Sequence, residues 1–210
     1  MQLTFAHIVK SSASAGACQR RGRIYRMRKR SILAAIGGVL VAAAATAQAP
    51  RPEFPAVLLT DLAGQAVPLK DLLGTATVLN FWATWCGPCR MEMPELQKLS
   101  NEFGGKGFVV LAVNVDLPPR LEEEGVAGQL AAIKPRVELF LKQSGITLPV
   151  FLVDGKTQMA LGINQIPFSV LLDREGKVVR VYPGYSAESV QDMRRQLLGL
   201  LAERSGKGGK

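Results

Sequence analysis

The chain has 210 residues and a formal net charge of +9, from 26 lysines and arginines against 17 aspartates and glutamates. Eight of the basic residues and none of the acidic ones lie in residues 1–47, so the rest of the chain carries 18 basic and 17 acidic residues. This near balance gives no reason to expect nucleic acid or an anionic surface as a partner. The single histidine, His7, lies in the same leading part, which excludes histidine-ligated metal and a Cys–His nucleophile pair from the remainder.

The leading residues have the composition of an export signal. A basic stretch, Met27–Arg30, precedes the apolar run Ile32–Ala45, and Ala45-Thr46-Ala47 offers a small-x-small cleavage site. We therefore predict a signal peptide over residues 27–47 and a mature protein in the periplasm or cell envelope. The apolar run is shorter than the roughly 20 residues that span a bilayer; an uncleaved leader that anchors the protein to the inner membrane, facing the periplasm, is the alternative. Residues 1–26 are predicted to be an extension wrongly assigned ahead of a true start at Met27.

The remaining residues are enough for one domain with a substantial core. We predict an extended, proline-rich lead-in over residues 48–55, a folded domain over 56–204 and a flexible glycine- and lysine-rich tail over 205–210. Within the domain, Val57–Thr60 and Ala66–Leu69 are predicted to pair as an N-terminal hairpin.

The most informative stretch is Asn80-Phe-Trp-Ala-Thr-Trp-Cys-Gly-Pro-Cys-Arg-Met-Glu-Met-Pro94. An apolar run predicts a buried strand over Thr75–Phe81, and a helix is predicted to open at the cysteines and to end near Phe103. Two cysteines at C-x-x-C spacing where a strand leads into a helix indicate a thioredoxin-like redox pair. The N–H groups and positive dipole at the helix start stabilise an anion, so we predict Cys86 as the nucleophile and Cys89, one turn further on, as the buried resolving thiol.

A zinc site is the competing interpretation of a C-x-x-C pair, and it needs two more cysteine or histidine ligands. The only other candidates, Cys18 and His7, lie in the leader. We therefore predict no metal.

The later elements alternate between strands and helices, which predicts a layered α/β domain with a mixed sheet. Pro135 suits the first position of a helix, so it is predicted to open a new helix. The other predicted elements are a strand over Phe108–Val115, a short helix over Val126–Ile133, a strand over Leu148–Val153, a helix or loop over Gly155–Gly162, a hairpin of Phe168–Leu172 and Val178–Val181, and a last helix capped by Ser186.

Two segments, Asn80–Pro94 and Gln165–Lys177, resemble the TlpA/ResA-like branch of the thioredoxin superfamily, which contains membrane-anchored or periplasmic thiol–disulfide oxidoreductases. The resemblance covers roughly Pro55 to Leu201. It implies a thioredoxin-like fold, in which helices flank a central mixed β-sheet. The N-terminal β-hairpin is then an extension of this fold, and residues 117–134 form an insertion after the second core strand.

The resemblance also implies roles for residues away from the cysteines. Pro167 matches a proline that is cis and lies beside the active disulfide in the family, and the Ile166 backbone next to it could pair with a substrate strand. Glu92 matches a glutamate that the family places near its cysteines. In a poorly solvated pocket such a carboxylate has a raised pKa and can exchange a proton with the resolving thiol, whereas an ordinary solvated glutamate is the alternative. Asn80 stands where thioredoxins carry a buried aspartate, and an amide cannot act as a base.

Three residues around the nucleophile are expected to contact the substrate, namely Trp85, Gly87 and Pro88. Trp85 is expected to cover Cys86 and to control access to the sulfurs, whereas Trp82 is expected to lie in the core.

The function that follows is dithiol–disulfide exchange without a cofactor other than the Cys86–Cys89 disulfide, in a chain expected to be a monomer. A reductase of envelope protein disulfides is predicted, with apocytochrome c as one candidate substrate and a membrane thiol transporter as the implied electron donor. An oxidase or isomerase is the alternative. A thiol peroxidase is disfavoured because no Pro-x-x-x-Thr-x-x-Cys segment is present, and a metal chaperone because histidine is missing.

Overall fold

The structure is a computed structural model that describes residues 51–116 and 125–207. The predicted signal peptide, the extension over residues 1–26 and most of the charged part of the insertion lie outside the described residues. In chain order the elements are β1 (Leu58–Asp61), β2 (Ala66–Pro68), a 3-10 turn (Leu69–Leu72), β3 (Ala76–Trp82), α1 (Gly87–Phe103), a 3-10 turn (Gly104–Lys106), β4 (Phe108–Asn114), α2 (Gly125–Ser144), β5 (Val150–Leu152), α3 (Gly155–Ala160), β6 (Phe168–Asp173), β7 (Val178–Pro183) and α4 (Ala187–Lys207).

The seven strands form one mixed sheet in the order β2-β1-β5-β4-β3-β6-β7. Strands β3, β4 and β5 run parallel, and every other pair is antiparallel. All seven residues of β3 are buried, as an apolar strand flanked by partners on both edges requires. The predicted central mixed sheet with flanking helices and an N-terminal hairpin extension is confirmed, and that hairpin joins the sheet through β5.

Helix α1 buries one stripe of side chains at helical spacing and packs against β4. Pro94 lies inside this helix, which ends at Phe103 as predicted and is followed by Gly104. The buried stripe consists of Cys89, Glu92, Met93, Leu96, Leu99 and Phe103.

The prediction that Pro135 opens a new helix is wrong, because α2 runs without a break from Gly125 to Ser144 with Pro135 inside it. A buried stripe at spacings of three and four residues crosses the proline without interruption: Leu130, Ile133, Val137 and Phe140. Burial of each such side chain stabilises by about 1.5–3 kcal/mol, so the stripe together outweighs the roughly 3 kcal/mol that a proline costs within a helix.

The folded part of the chain extends beyond both predicted domain boundaries, residues 56 and 204. Phe54, in the predicted lead-in, is buried, its N–H donates to the Gly176 carbonyl, and Glu53 forms a bridge with Lys177. At the other end, α4 continues to Lys207, into the predicted flexible tail. Apolar packing explains both corrections, because Phe54 belongs to the buried core and the buried side chains of α4 anchor a helix that continues into the tail.

None of the helices in the described ranges combines the length and the apolar character that crossing a bilayer requires.

A close backbone approach lies at Gly74, just before β3. A Cβ atom there would lie 2.4 Å from the Gly107 carbonyl oxygen and 2.9 Å from Val109 Cγ2, and the same carbonyl accepts a hydrogen bond from the Thr75 N–H at 2.7 Å. We expect Gly74→Ala to lower the free energy of unfolding by about 2 kcal/mol, because the methyl group must push two backbones apart. Urea unfolding followed by circular dichroism measures the change.

Gly199→Ala is the matched control for this substitution. A Cβ atom at Gly199, inside α4, meets nothing within 4 Å, so alanine should raise the stability by about 0.5–1 kcal/mol through its helix propensity. Equal effects at Gly74 and Gly199 would contradict the close approach at Gly74.

Candidate active site

The two cysteines lie where the central strand passes into α1. Cys86 is the N-cap of α1, and its Sγ accepts a hydrogen bond from the Cys89 N–H at 3.2 Å. The two residues form a disulfide. Cys86 is 4% exposed and Cys89 is fully buried, so a partner can reach only the first sulfur. The N–H groups and dipole of the helix favour a thiolate at Cys86 when the pair is reduced.

The residues next to the nucleophile are open to solvent. Gly87 and Pro88 are both exposed, and Pro88 in the first turn suits a helix start because its missing N–H would have no partner there. Trp85 is 68% exposed. Trp82 is fully buried, and its ring lies 4.9 Å from the Phe140 ring, which confirms its predicted place in the core.

The peptide bond between Ile166 and Pro167 is cis, as the family resemblance implies. Phe168, the next residue, is paired with Phe81 near the end of β3, so the turn at Pro167 reaches the same edge of the sheet as the cysteine loop. Pro167 is buried and its carbonyl accepts a hydrogen bond from the Gly184 N–H at 2.8 Å. Among the described residues, none forms a backbone hydrogen bond with Ile166.

Glu92 lies one turn beyond Cys89 on the buried stripe of α1, with 1% of its surface exposed. Its carboxylate accepts hydrogen bonds from Asn80 Nδ2 at 2.8 Å and from Ser169 Oγ at 3.2 Å. Asn80 Nδ2 also donates to Ser169 Oγ at 2.9 Å, which closes a buried triangle. Burial raises the pKa of Glu92 to about 7, and the two hydrogen bonds oppose that rise.

The alternative for Glu92, an ordinary solvated glutamate, is wrong. Glu95, on the same helix, shows what that alternative looks like, because it is partly exposed and pairs with Lys98 at 2.7 Å. Glu92 instead titrates near neutral pH inside the protein, one turn from the resolving thiol.

Sequence reasoning missed Ser169, although it is the only polar residue between the cis-proline and Asp173 in an otherwise apolar strand. Its partner Asn80 lies directly opposite it in the register of β3 and β6, far away in sequence, so only the strand pairing brings them together.

Sequence reasoning also missed the residues that hold the cysteine loop. Thr84 is buried; its N–H donates to the Asp116 carboxylate, and its carbonyl accepts from Arg90 Nε at 3.2 Å and Arg90 Nη2 at 2.9 Å. The Arg90 guanidinium lies 5.7 Å from the centre of the Phe140 ring. A side chain four residues after Cys86 therefore fixes the loop that precedes it.

Within the described ranges, no three histidine, cysteine, aspartate or glutamate side chains come together in an arrangement that could hold a metal ion.

Comparison with known proteins gives consistent relatives. The model of the AhpC/TSA family matches residues 49–198. The thiol-disulfide oxidoreductase ResA of Bacillus thuringiensis is 36% identical over 128 residues, which cover 60% of this chain and 65% of that protein. ResA of Geobacillus thermodenitrificans is 34% identical over 158 residues, which cover 73% of this chain and 82% of that protein. The chain thus spans slightly less than two thirds of the first of these relatives.

The fold comparison agrees. A crystal structure from Chlorobium tepidum, described as a thiol:disulfide interchange protein DsbE, has a TM-score of 0.59 and 30% identity, and covers 72% of this chain and 96% of its own. A solution structure from Bacteroides thetaiotaomicron, described as a protein disulfide isomerase, has a TM-score of 0.59 and 29% identity, and covers 72% of this chain and 89% of its own. These similarities are to thioredoxin-fold proteins, so the predicted fold class is confirmed.

The buried Glu92 makes stability depend on pH. Its pKa is about 7 in the folded protein against 4.5 for an unburied glutamate, so between these values the folded state binds more protons than the unfolded state, and stability falls as the pH rises through this window. We expect the free energy of unfolding of the wild type, minus that of Glu92→Gln, to fall by about 3 kcal/mol between pH 4.5 and pH 8. Denaturant unfolding of the oxidised proteins measures it.

Glu95→Gln is the matched control, because it makes the same substitution at a partly exposed position of the same helix. A pH dependence for Glu92→Gln no steeper than that for Glu95→Gln would mean that the Glu92 carboxylate is solvated.

Proposed function

The chain belongs to the AhpC/TSA family, and we propose that it is a thiol–disulfide oxidoreductase that reduces disulfide bonds in proteins of the cell envelope. The observation that carries the proposal is the disulfide between a surface-reachable Cys86 and a fully buried Cys89 at the start of α1. The relatives named thiol-disulfide oxidoreductase ResA support the activity.

The reaction that fits this geometry is a two-step exchange starting from the reduced pair. The Cys86 thiolate attacks one sulfur of a partner disulfide, whose S–S bond breaks and whose other sulfur leaves as a thiolate. Cys89 then loses its proton and attacks Cys86 Sγ, so the Cys86–Cys89 disulfide forms and the second partner sulfur leaves. Two electrons pass from the enzyme to the partner, and the oxidised form described above is the product state.

Glu92 is our candidate for the group that takes the Cys89 proton. It lies three residues further along the same helix face, and its pKa of about 7 lets it accept a proton at neutral pH and release it again. Pro167 and the Ile166 backbone are our candidates for the surface on which the substrate strand lies, together with Trp85, Gly87 and Pro88.

The direction of the reaction is inferred from the residues between the cysteines. Gly87-Pro88 is the dipeptide of thioredoxin, whose reduction potential is about −270 mV, whereas strong oxidants lie near −120 mV.

An oxidising compartment would then require re-reduction of the enzyme by a dithiol donor, for which a membrane thiol transporter is our candidate. Apocytochrome c, whose haem-attaching cysteines must be reduced, is one candidate substrate. We propose the periplasm or cell envelope as the location, from the signal predicted over residues 27–47.

An oxidase or isomerase is the second candidate function, and the structural neighbour described as a protein disulfide isomerase favours it. A reductase gives two electrons to its partner, an oxidase takes two and an isomerase transfers none overall, and the three activities are associated with different reduction potentials, so the potential of the pair separates them.

The first test is the reduction potential of the Cys86–Cys89 pair, obtained by equilibrating the mature protein with a dithiol buffer. We expect a value below about −230 mV, because the pair would then donate electrons to most protein disulfides. We also expect Cys86→Ser to abolish reduction of insulin disulfides, and Cys89→Ser to accumulate a mixed disulfide through Cys86.

A potential above about −180 mV would instead indicate an oxidase or isomerase. Insulin reduction that persists in Cys86→Ser would refute the exchange mechanism, and peroxide consumption that survives Cys89→Ser would indicate a thiol peroxidase.

The role of Glu92 is tested by the second step alone. We expect Glu92→Gln to slow release of the partner from the mixed disulfide at least tenfold at pH 7, because general base catalysis contributes at this scale or above, while the first attack by Cys86 changes little. Rapid-quench alkylation separates the two steps. Glu95→Gln is the control, and the same slowing in both variants would assign the effect to charge rather than to the buried carboxyl.

A further inference from the structure

A cleft opens directly beside the nucleophile, on the side where α2 passes the cysteine loop. Its volume is about 360 Å³. Trp85, which lines the cleft, directly precedes Cys86. A protein whose disulfide has reached Cys86 therefore has the neighbouring part of its own chain close to the cleft. The residues of this cleft that matter here are Thr84, Trp85, Arg90, Arg136, Leu139 and Phe140.

Two guanidinium groups give the cleft a positive charge. Arg90 uses Nε and Nη2 to bind the Thr84 carbonyl, which fixes its plane and leaves the Nη1 donors for another group. Arg136 is exposed, and no carboxylate among the described residues pairs with it.

The nearby acidic residues that the structure describes are engaged elsewhere. Asp116 accepts hydrogen bonds from the Thr84 N–H and from Asn114 Nδ2, and Glu138, on the same helix as Arg136, lies 3.9 Å from Lys134. Neither of these carboxylates lines the cleft, whose described lining contains two guanidinium groups and no acidic side chain.

Large apolar surface lies beside these charges. Trp85 is 68% exposed and Leu139 is 54% exposed, so both side chains offer apolar surface that a bound partner could cover. Aromatic residues and arginine are the types enriched at the centres of protein interfaces.

We propose that this cleft binds the chain next to the target disulfide, and that it selects segments in which an aspartate or glutamate lies beside an apolar residue. The inference rests on the proposed function, because it names the substrate class of the same site. The apolar residue packs on Trp85 and Leu139, and the carboxylate pairs with Arg136 and with Arg90 Nη1.

Synthetic peptides with one internal disulfide test the selection. Three peptides share a leucine next to the cystine and differ only in the following residue, which is glutamate, glutamine or lysine. Single-turnover reduction by the reduced mature protein gives a rate for each peptide. A second readout is the affinity of the oxidised protein for the same peptides with serine in place of cysteine, followed by tryptophan fluorescence.

We expect the wild type to reduce the glutamate peptide about three- to tenfold faster than the lysine peptide at low salt, because exposed charge pairs have modest strength. The ratio should approach one in 0.5 M salt, which screens them. Arg136→Glu should reverse the ratio. Lys142→Glu makes the same change of sign at another exposed position of α2 and should preserve it.

A wild-type ratio near one, or equal loss of the ratio in Arg136→Glu and Lys142→Glu, would overturn the proposal. So would a concentration-dependent dimer that dissociates in Arg136→Glu without a change in peptide preference, since a second copy would then occupy the cleft.

If no peptide is reduced at all, the proposed function fails, and the affinities of the serine peptides test peptide binding by the cleft independently. Affinities that fall in the order glutamate, glutamine, lysine support the proposal, and equal affinities refute it.

Discussion

The site depends on the position of β3 between two partners of opposite direction. Strand β4 pairs with it in parallel and β6 in antiparallel register, so the carboxyl end of β3 and the amino end of β6 meet at one edge of the sheet. The first of these ends continues into the cysteine loop and α1, and the second is preceded by the cis-proline turn at Pro167. The cysteine loop and the cis-proline turn thus become neighbours through backbone hydrogen bonds, before any side chain of the site contributes.

The same register accounts for the buried acid. Asn80 and Ser169 face each other across β3 and β6, and α1 places Glu92 against both. Without those two donors, nothing would offset the unfavourable free energy of desolvating the carboxyl group. With them the group is buried and hydrogen-bonded, and its pKa is about 7. Residues that hold the fold together at this point are therefore also the residues that set the proton affinity of the group next to Cys89.

Much of this could be predicted from the sequence, because the deciding signals are local. The C-x-x-C spacing, the apolar run of β3 and the helical stripe of α1 each lie within one element, and the structure places the corresponding elements within one or two residues of the prediction. The helix break at Pro135 was predicted wrongly because local propensity favoured it while the apolar stripe from Leu130 to Phe140, a tertiary packing effect, opposed it. Ser169 and Arg136 were missed for a related reason: a single polar residue has no periodicity, and its importance depends on which distant element it meets.

The cysteine loop, which carries the reactive Cys86, is linked to α2 through the Thr84 carbonyl. The Thr84 carbonyl is bound by Arg90, whose guanidinium lies over the Phe140 ring of α2, the helix that also carries Arg136 and Leu139. A helix that begins within the predicted insertion is thereby fixed against the loop that presents Cys86. Under the proposal above, substitutions in α2 change which partners bind while the strand register that positions the sulfurs and Glu92 stays the same, because no described residue of α2 takes part in that register. Substrate preference would then depend on α2 and the cysteine loop, and redox chemistry on β3, β6 and α1, with contact between the two parts at Arg90 and Phe140 and at Trp82 and Phe140.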